Sequence, residues 1–364
     1  MKKIIKISFV ILGLIICTNL TAQTSKEYND SGEKAFGEQR YEDAFNLFDK
    51  AVKADNSFAI GYGNRGYLYY MFGEYEKALA DQNKAIELAP DTAILWINRG
   101  LLYIAMGNFN SALSDITKYL SFAPNDGGGY FFRAQAFAGK NLYDKAIVDL
   151  NKSIELAPTP EVFDMRGQMY KRLEKFDLAI ADFDQALALN PQFTSAILNK
   201  AQAMNSVGKT TEAIEIINKA IDAGYFTGNP SGYSLVGNLY GSIGNFTEAV
   251  NNFRKCEAAG SKDANMYNNK AACEIELTLL DDALSSINKS LEFEPGVFNS
   301  YMTRANIYYR LGKFEAGLLD AEKAVSMEPD NLGALNAKGL FLLDLGRRSE
   351  AEAVGKRIEE LQNK

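Results

Sequence analysis

Five arginines and five aspartates recur in step along the chain. Arg65, Arg99, Arg133, Arg166 and Arg304 are followed sixteen positions later by Asp81, Asp115, Asp149, Asp182 and Asp320. Where the arginine is absent, so is the aspartate: the equivalent pairs are Ser31 with Leu47, Lys200 with Ile216, Val236 with Asn252, Lys270 with Ser286, and Lys338 with Val354. An arginine that held an external ligand would have no reason to track a carboxylate on another element. The pattern predicts five structural ion pairs, for which the planar guanidinium fork is suited. The alternative is a basic stripe that binds an anionic ligand.

Little other chemistry is on offer. The chain has 0 His, which removes Ser-His-Asp and Cys-His nucleophile pairs, imidazole bases and histidine metal sites. No Gly-rich phosphate loop, paired-carboxylate motif or metal-ligand cluster stands outside the repeated columns described below, so a non-enzyme without a cofactor is expected. A net charge of −7 and a pI near 5.0 argue against nucleic acid, whose phosphates need a basic surface. Cys256 and Cys273 fall on adjacent stacked helices. They are expected to be two buried thiols filling small core positions, with a disulfide as the alternative in an oxidising compartment.

A repeat must position these residues. The chain is 364 residues long, 47% hydrophobic and 23% charged, with 29 Gly and only 8 Pro, a folded composition. Prolines recur at Pro90, Pro124, Pro158 and Pro191, spaced by 34, 34 and 33 residues, and again at Pro295 and Pro329, spaced by 34. A fixed period of this length marks a solenoid. Repeats then start at Ser25, Ala59, Ala93, Gly127, Pro160, Thr194, Pro230, Ala264, Phe298 and Leu332. The eighth position is always Gly or Ala, from Gly32 and Gly66 to Ala305 and Gly339, and so is the twentieth, from Ala44 to Gly317 and Ala351. The fourth is mostly aromatic (Tyr28, Tyr62, Trp96, Tyr130, Phe163, Tyr233, Tyr267, Tyr301), as is the seventeenth (Tyr41, Tyr75, Phe109, Tyr143, Phe176, Phe246, Phe314). Each unit reads as two helices joined by a turn that often contains Gly. Small residues let the two helices approach, and aromatics fill the space beside them.

These columns resemble the tetratricopeptide repeat (TPR) family, and the resemblance covers Ser25 to the C-terminus. It implies an all-α, right-handed superhelical solenoid of about ten helix-turn-helix repeats over 23–364, with a concave groove lined by the first helix of each pair. It also implies a non-catalytic scaffold or adaptor that binds peptides or partner helices in that groove. The carboxylate clamp of co-chaperone members needs Lys at the fifth position, and no repeat here has one, so that mode is not expected. Repeat six has Ile197, Met204 and Thr210 where aromatics are usual, and the next start comes 36 residues on, which makes 224–232 a candidate joint or a tolerated insertion. Repeat eight carries Glu274 at an apolar position and Thr278 at the usual turn Gly. Repeat ten has Arg348 and Gly355 in core columns and ends charged, as a unit facing water should.

In the family, positions two, five, nine and twelve of the first helix face the groove as one stripe. In repeats two to four the stripe comprises Ile60, Tyr67, Tyr70, Ile94, Ile97, Leu101, Ile104, Phe131 and Gln135, with Phe132 beside it. In repeats five to nine it turns to Gln168, Lys171, Gln202, Asn205, Asn238, Asn265, Asn268, Asn299 and Asn306. The apolar set is expected to anchor side chains of a partner and the amide set to bond its backbone. The alternative is that curvature buries the apolar set against neighbouring first helices.

Residues 1–22 stand outside the repeat. Lys2, Lys3 and Lys6 precede an apolar run from Ile7 to Cys17, and small Ala22 precedes Gln23, the pattern of a secretory signal peptide. The run is too short for a spanning helix of ~20 residues. An exported protein of bacterial type is expected, periplasmic or at the outer membrane. Lipidation at Cys17 is the alternative, with bulky Ile16 where a small residue is wanted. The expected partners are other proteins or peptides. Glycan binding at the outer membrane, or a homo-oligomer made by end-to-end stacking of repeats, are the alternative roles.

Overall fold

The computed structural model describes residues 23–363; the expected signal peptide, with Cys17 and Ala22, lies outside the described residues. The chain divides into two compact units, one up to Leu189 and one from Asn190. The first contains α1 (described over 23–37), α2 (Tyr41–Ala54), α3 (Ala59–Met71), α4 (Tyr75–Leu88), α5 (Ala93–Ala105), α6 (Phe109–Phe122), α7 (Gly127–Gly139), α8 (Tyr143–Leu156), α9 (Pro160–Arg172) and α10 (Phe176–Leu189). The second contains α11 (Thr194–Ser206), α12 (Thr210–Asp222), α13 (Ser231–Ser242), α14 (Phe246–Ala258), α15 (Ala264–Glu276), α16 (Leu280–Phe293), α17 (Phe298–Arg310), α18 (Phe314–Met327), α19 (Leu332–Asp344) and α20 (Arg348–Gln362). No strand occurs among the described residues. The fold class is the all-α helix-pair solenoid expected from the period. Repeat starts coincide with the first residues of the odd-numbered helices from α3 onward, except that Pro230 is the residue before α13.

Each first helix packs on its own second helix, and each second helix on the next first helix within a unit. First helices also touch one another, α3 with α5 and α5 with α7 in the first unit, and in the second unit from α11 through α13, α15 and α17 to α19, where they form a continuous wall. The small columns explain the close approach. Ala78, Ala112, Ala146, Ala179, Ala213, Ala249 and Ala283 are fully buried. A Cβ placed on Gly167 would lie 2.6 Å from the Phe183 ring, closer than real side chains come. The fourth-column aromatics do more than fill space. Trp96 Nε1 donates to the Pro90 carbonyl at 2.7 Å, and the Tyr130 and Tyr301 hydroxyls donate to the Pro124 and Pro295 carbonyls at 3.1 Å. Proline and aromatic columns thus lock one linker between them. The interhelix turn takes positive φ at Gly73, Gly107, Gly208, Gly244 and Gly312, whereas Thr278 holds φ 59° there, a strained position for a β-branched residue.

Segment 224–232 is a bonded turn: Phe226 is buried at 4% exposure against Gly232, and Thr227 Oγ1 donates to the Gly224 carbonyl at 2.7 Å. The division into units falls at Leu189–Asn190. The charged end of α20 is exposed, with Lys356, Glu359 and Glu360 at the surface. α19 buries Leu335, Phe341 and Leu342, yet leaves Leu340 and Leu343 at 44% and 56% exposure. Cys256 and Cys273 are free, buried thiols, and burial pushes the Cys273 thiol up to about 11.

Candidate functional site

The five recurrent arginines all find their aspartates. Arg65 Nε lies 2.7 Å from Asp81, Arg99 Nε 2.6 Å from Asp115, and Arg133 Nε 2.7 Å from Asp149. Arg166 and Arg304 reach Asp182 and Asp320 at 2.8 Å, and every fork is bidentate through a second nitrogen. The arginine heads are largely covered, at 16–22% side-chain exposure, which leaves little cation for a ligand. Hydrogen bonds donated to the aspartates hold the arginines above their ordinary range. A third contact was not legible in the pair pattern. Nη1 reaches back to the preceding second helix, at Asp49 for Arg65, Asn83 for Arg99, Asn151 for Arg166 and Asn288 for Arg304, at 2.7–2.9 Å. Each arginine also sits over the fourth-column ring three residues earlier, as Arg99 does over Trp96 at 5.2 Å. The pair is therefore a staple between repeats as well as within one.

The apolar stripe is less available than its sequence implies. Ile97 is buried at 6% exposure and cannot anchor a partner, because α5 is covered there by its neighbours. Leu101, Ile104 and Phe132 pack on the same cluster, and Phe131 on the next one. Tyr67 and Tyr70 meet ring to ring at 5.9 Å, and Tyr70 stacks on Tyr75. Ile60 and Gln135 are half-buried, and Ile94 alone of the set is half exposed, at 51%. First-helix packing consumes most of this surface.

Two openings lie on the first-helix wall of the second unit. One recess of about 310 Å³ is lined by Gln202, Ser231, Ser234, Asn238 and Asp263, with Cys256 among its wall residues. A second, of about 430 Å³, is lined by Gly237, Asn238, Gly241, Asn269, Cys273 and Glu276. Asn238 borders both. Its Oδ1 accepts from Asn269 Nδ2 at 2.9 Å, which leaves the Asn238 NH₂ and the Asn269 carbonyl to offer one donor group and one acceptor. The Ser231 hydroxyl is buried without a partner. α13 carries Ser231, Ser234 and Gly241 at positions where earlier first helices carry Ile60, Ile94, Ile97, Phe131, Tyr70 or Ile104, which leaves room for the openings. Those small residues were the sequence signal for the site. Of the amides expected in the groove, Gln202 and Asn238 are brought together here. Asn205 accepts from Thr210, Asn268 accepts from Thr303, and Gln168 donates to Asp164. Lys171 is half-buried, and burial lowers its amine. Asn265, Asn299 and Asn306 are exposed. Among the described residues no cluster of metal-ligating side chains occurs, and no helix is long and apolar enough to cross a membrane.

Repeat eight replaces the arginine staple with a different charge cluster. Lys270 Nζ bonds Glu257 at 2.6 Å and lies 3.9 Å from Glu274, while Lys289 also reaches Glu257. Glu274 is 1% exposed, and its Oε2 has no hydrogen-bond partner. Burial pushes its carboxyl above the ordinary range, against the pull of Ser286 and Lys270. The folded state therefore binds this proton more tightly than the unfolded one. Its contribution is full below about pH 4.5 and is lost as pH rises through the raised value. Glu274→Leu is expected to flatten that decline and to stabilise the chain at pH 7 by about 1–2 kcal/mol, since Lys270 keeps Glu257. Thermal melts at pH 4 to 8 check it; a less stable variant at pH 7 would show that the carboxylate is well compensated.

Comparison with known proteins places the repeat. Models described as tetratricopeptide repeat match residues 30–93, 66–128, 128–160, 165–193, 230–259 and 302–364. Tetratricopeptide repeat protein 16 of Homo sapiens is 26% identical over 211 residues, 51% of this chain and 24% of that protein. Sperm-associated antigen 1 of Rattus norvegicus is 35% identical over 125 residues, 33% of this chain and 14% of that protein. The chain thus spans a quarter or less of these relatives. Among solved structures, a tetratricopeptide repeat protein from Parabacteroides merdae ATCC 43184 aligns with TM-score 0.55 at 18% identity, covering 69% of this chain and 99% of that one. The type IV pilus biogenesis factor PilW aligns with TM-score 0.52 at 17% identity, covering 54% and 92%. At these identities the likeness shows the fold.

Proposed function

The chain belongs to the tetratricopeptide repeat family, and on that premise we propose that it is an exported, non-catalytic scaffold whose second unit holds an extended segment of a partner protein along α13. The observation that supports this reading is the pair of recesses sharing Asn238. The spare amide groups of Asn238 and Asn269 match the alternating N–H and C=O of an extended backbone, and the recesses receive side chains on either side. Small residues on α13 let the backbone come close. The apolar stripe of the first unit is structural in this reading. Export rests on the leader: N-terminal sequencing of the mature chain distinguishes a start at Gln23 from a lipidated start at Cys17.

The test is peptide binding by fluorescence anisotropy, using ligands selected from a random peptide library. A Cβ on Gly241 lies 3.4 Å from Cys273 Sγ, so Gly241→Leu fits the helix and fills the second recess. Gly241→Leu and Asn238→Ala are each expected to weaken binding at least tenfold, about 1.4 kcal/mol, with an unchanged melt. Ile94→Ser should leave it unaltered. Binding that ignores both recess variants and responds to Ile94 would move the site to the first unit.

A further inference from the structure

The outer face of α19 and α20 is a groove with its own filler beside it. Gly339, Ala351 and Gly355 form a depression of about 370 Å³, and a Cβ on Gly355 would meet nothing within 4 Å. Leu340 and Leu343 stand along its edge at 44% and 56% exposure. On the opposite side α19 buries Phe341 and Leu342, so this helix is apolar nearly all round. Such a helix is stable when covered on both faces. Hole and knob on one surface are the requirement for an isologous contact, in which each copy fills the other.

The charges beside the groove fit the same operation. Arg348, Glu352, Gly355 and Glu359 are spaced at helical intervals along one stripe of α20. Arg348, Glu352 and Glu359 are exposed, and none makes an ion pair within the described residues. In an antiparallel two-fold pairing centred between Ala353 and Val354, Arg348 of one copy faces Glu359 of the other, and Glu352 faces Gly355. The two Arg348–Glu359 matches lie at the ends of the stripe, and the two Glu352 side chains flank the axis beside the Gly355 depressions. A partner of uniform charge would gain nothing from this arrangement. We infer that this face binds a second copy of the same chain, giving a closed two-fold dimer.

Sedimentation equilibrium of the purified chain over a concentration series tests the inference. The mass is expected to rise from that of one chain toward that of two and to stop there. Leu343→Glu, at an exposed site, should hold it at one chain with an unchanged melt. Arg348→Glu should weaken association at least tenfold, and Arg348→Glu with Glu359→Arg in the same chain should restore it. A single-chain mass at every concentration, a dimer indifferent to Leu343→Glu, or growth beyond two chains by head-to-tail stacking would each overturn it.

Discussion

Asp115→Ala is expected to lower the stability of the first unit by about 3 kcal/mol, seen as an earlier urea midpoint. Asp115 is 3% exposed and accepts from Arg99 Nε and Nη2 at 2.6 and 2.9 Å. Its removal strands a guanidinium that keeps Asn83 and the faces of Trp96 and Tyr103. Breaking a buried pair from one side costs about 3–5 kcal/mol, and the 17% exposure of the Arg99 side chain sets the loss at the lower end. Removing both partners, as Arg99→Met with Asp115→Leu, should recover most of it, because no charge is then left uncompensated. The exposed pair Lys84–Glu87, at 40% and 69% exposure, supplies the control: Glu87→Ala should change stability by no more than about 1 kcal/mol. Equal losses at Glu87 and Asp115 would show that the staple acts as an ordinary surface pair.

Phe183→Ala should have a comparable or larger effect, about 3–5 kcal/mol, since its ring is fully buried and a cavity would remain. Ring and groove are matched: Gly167 has no Cβ because the ring occupies that place, 2.6 Å from where the Cβ would be. Gly167→Val alone should destabilise by about 1–3 kcal/mol through overpacking. Combined with Phe183→Ala it should destabilise less than the sum, because the added methyls enter the vacated space. Urea midpoints of the four chains give the coupling, and strict additivity would mean that the two side chains are not competing for one volume.

The periodic features were legible because each repeat solves the same packing problem. Gly167 and Phe183 belong to a column pair repeated along the chain, and the Arg99–Asp115 pair is one of five copies. Repetition lets one sequence act as its own comparison. Features that occur once had no such support. The Phe226 plug, the Lys270–Glu257–Glu274 cluster and the recesses along α13 each break a column, and the broken column alone did not say what replaced it.

By itself the sequence determined the helix pairs, their starts and the five ion pairs, since these follow from spacing within about one repeat. Tertiary structure decided which groove residues remain accessible. Ile97 and Ile94 occupy the same predicted stripe, three positions apart, yet one is 6% exposed and the other 51%. Periodicity fixes the side of a helix on which a residue stands, whereas exposure depends on how closely the next first helix is drawn in. Around Ile97 that space is filled by Leu101, Ile104 and Phe132, whereas beside α13 two recesses stay open.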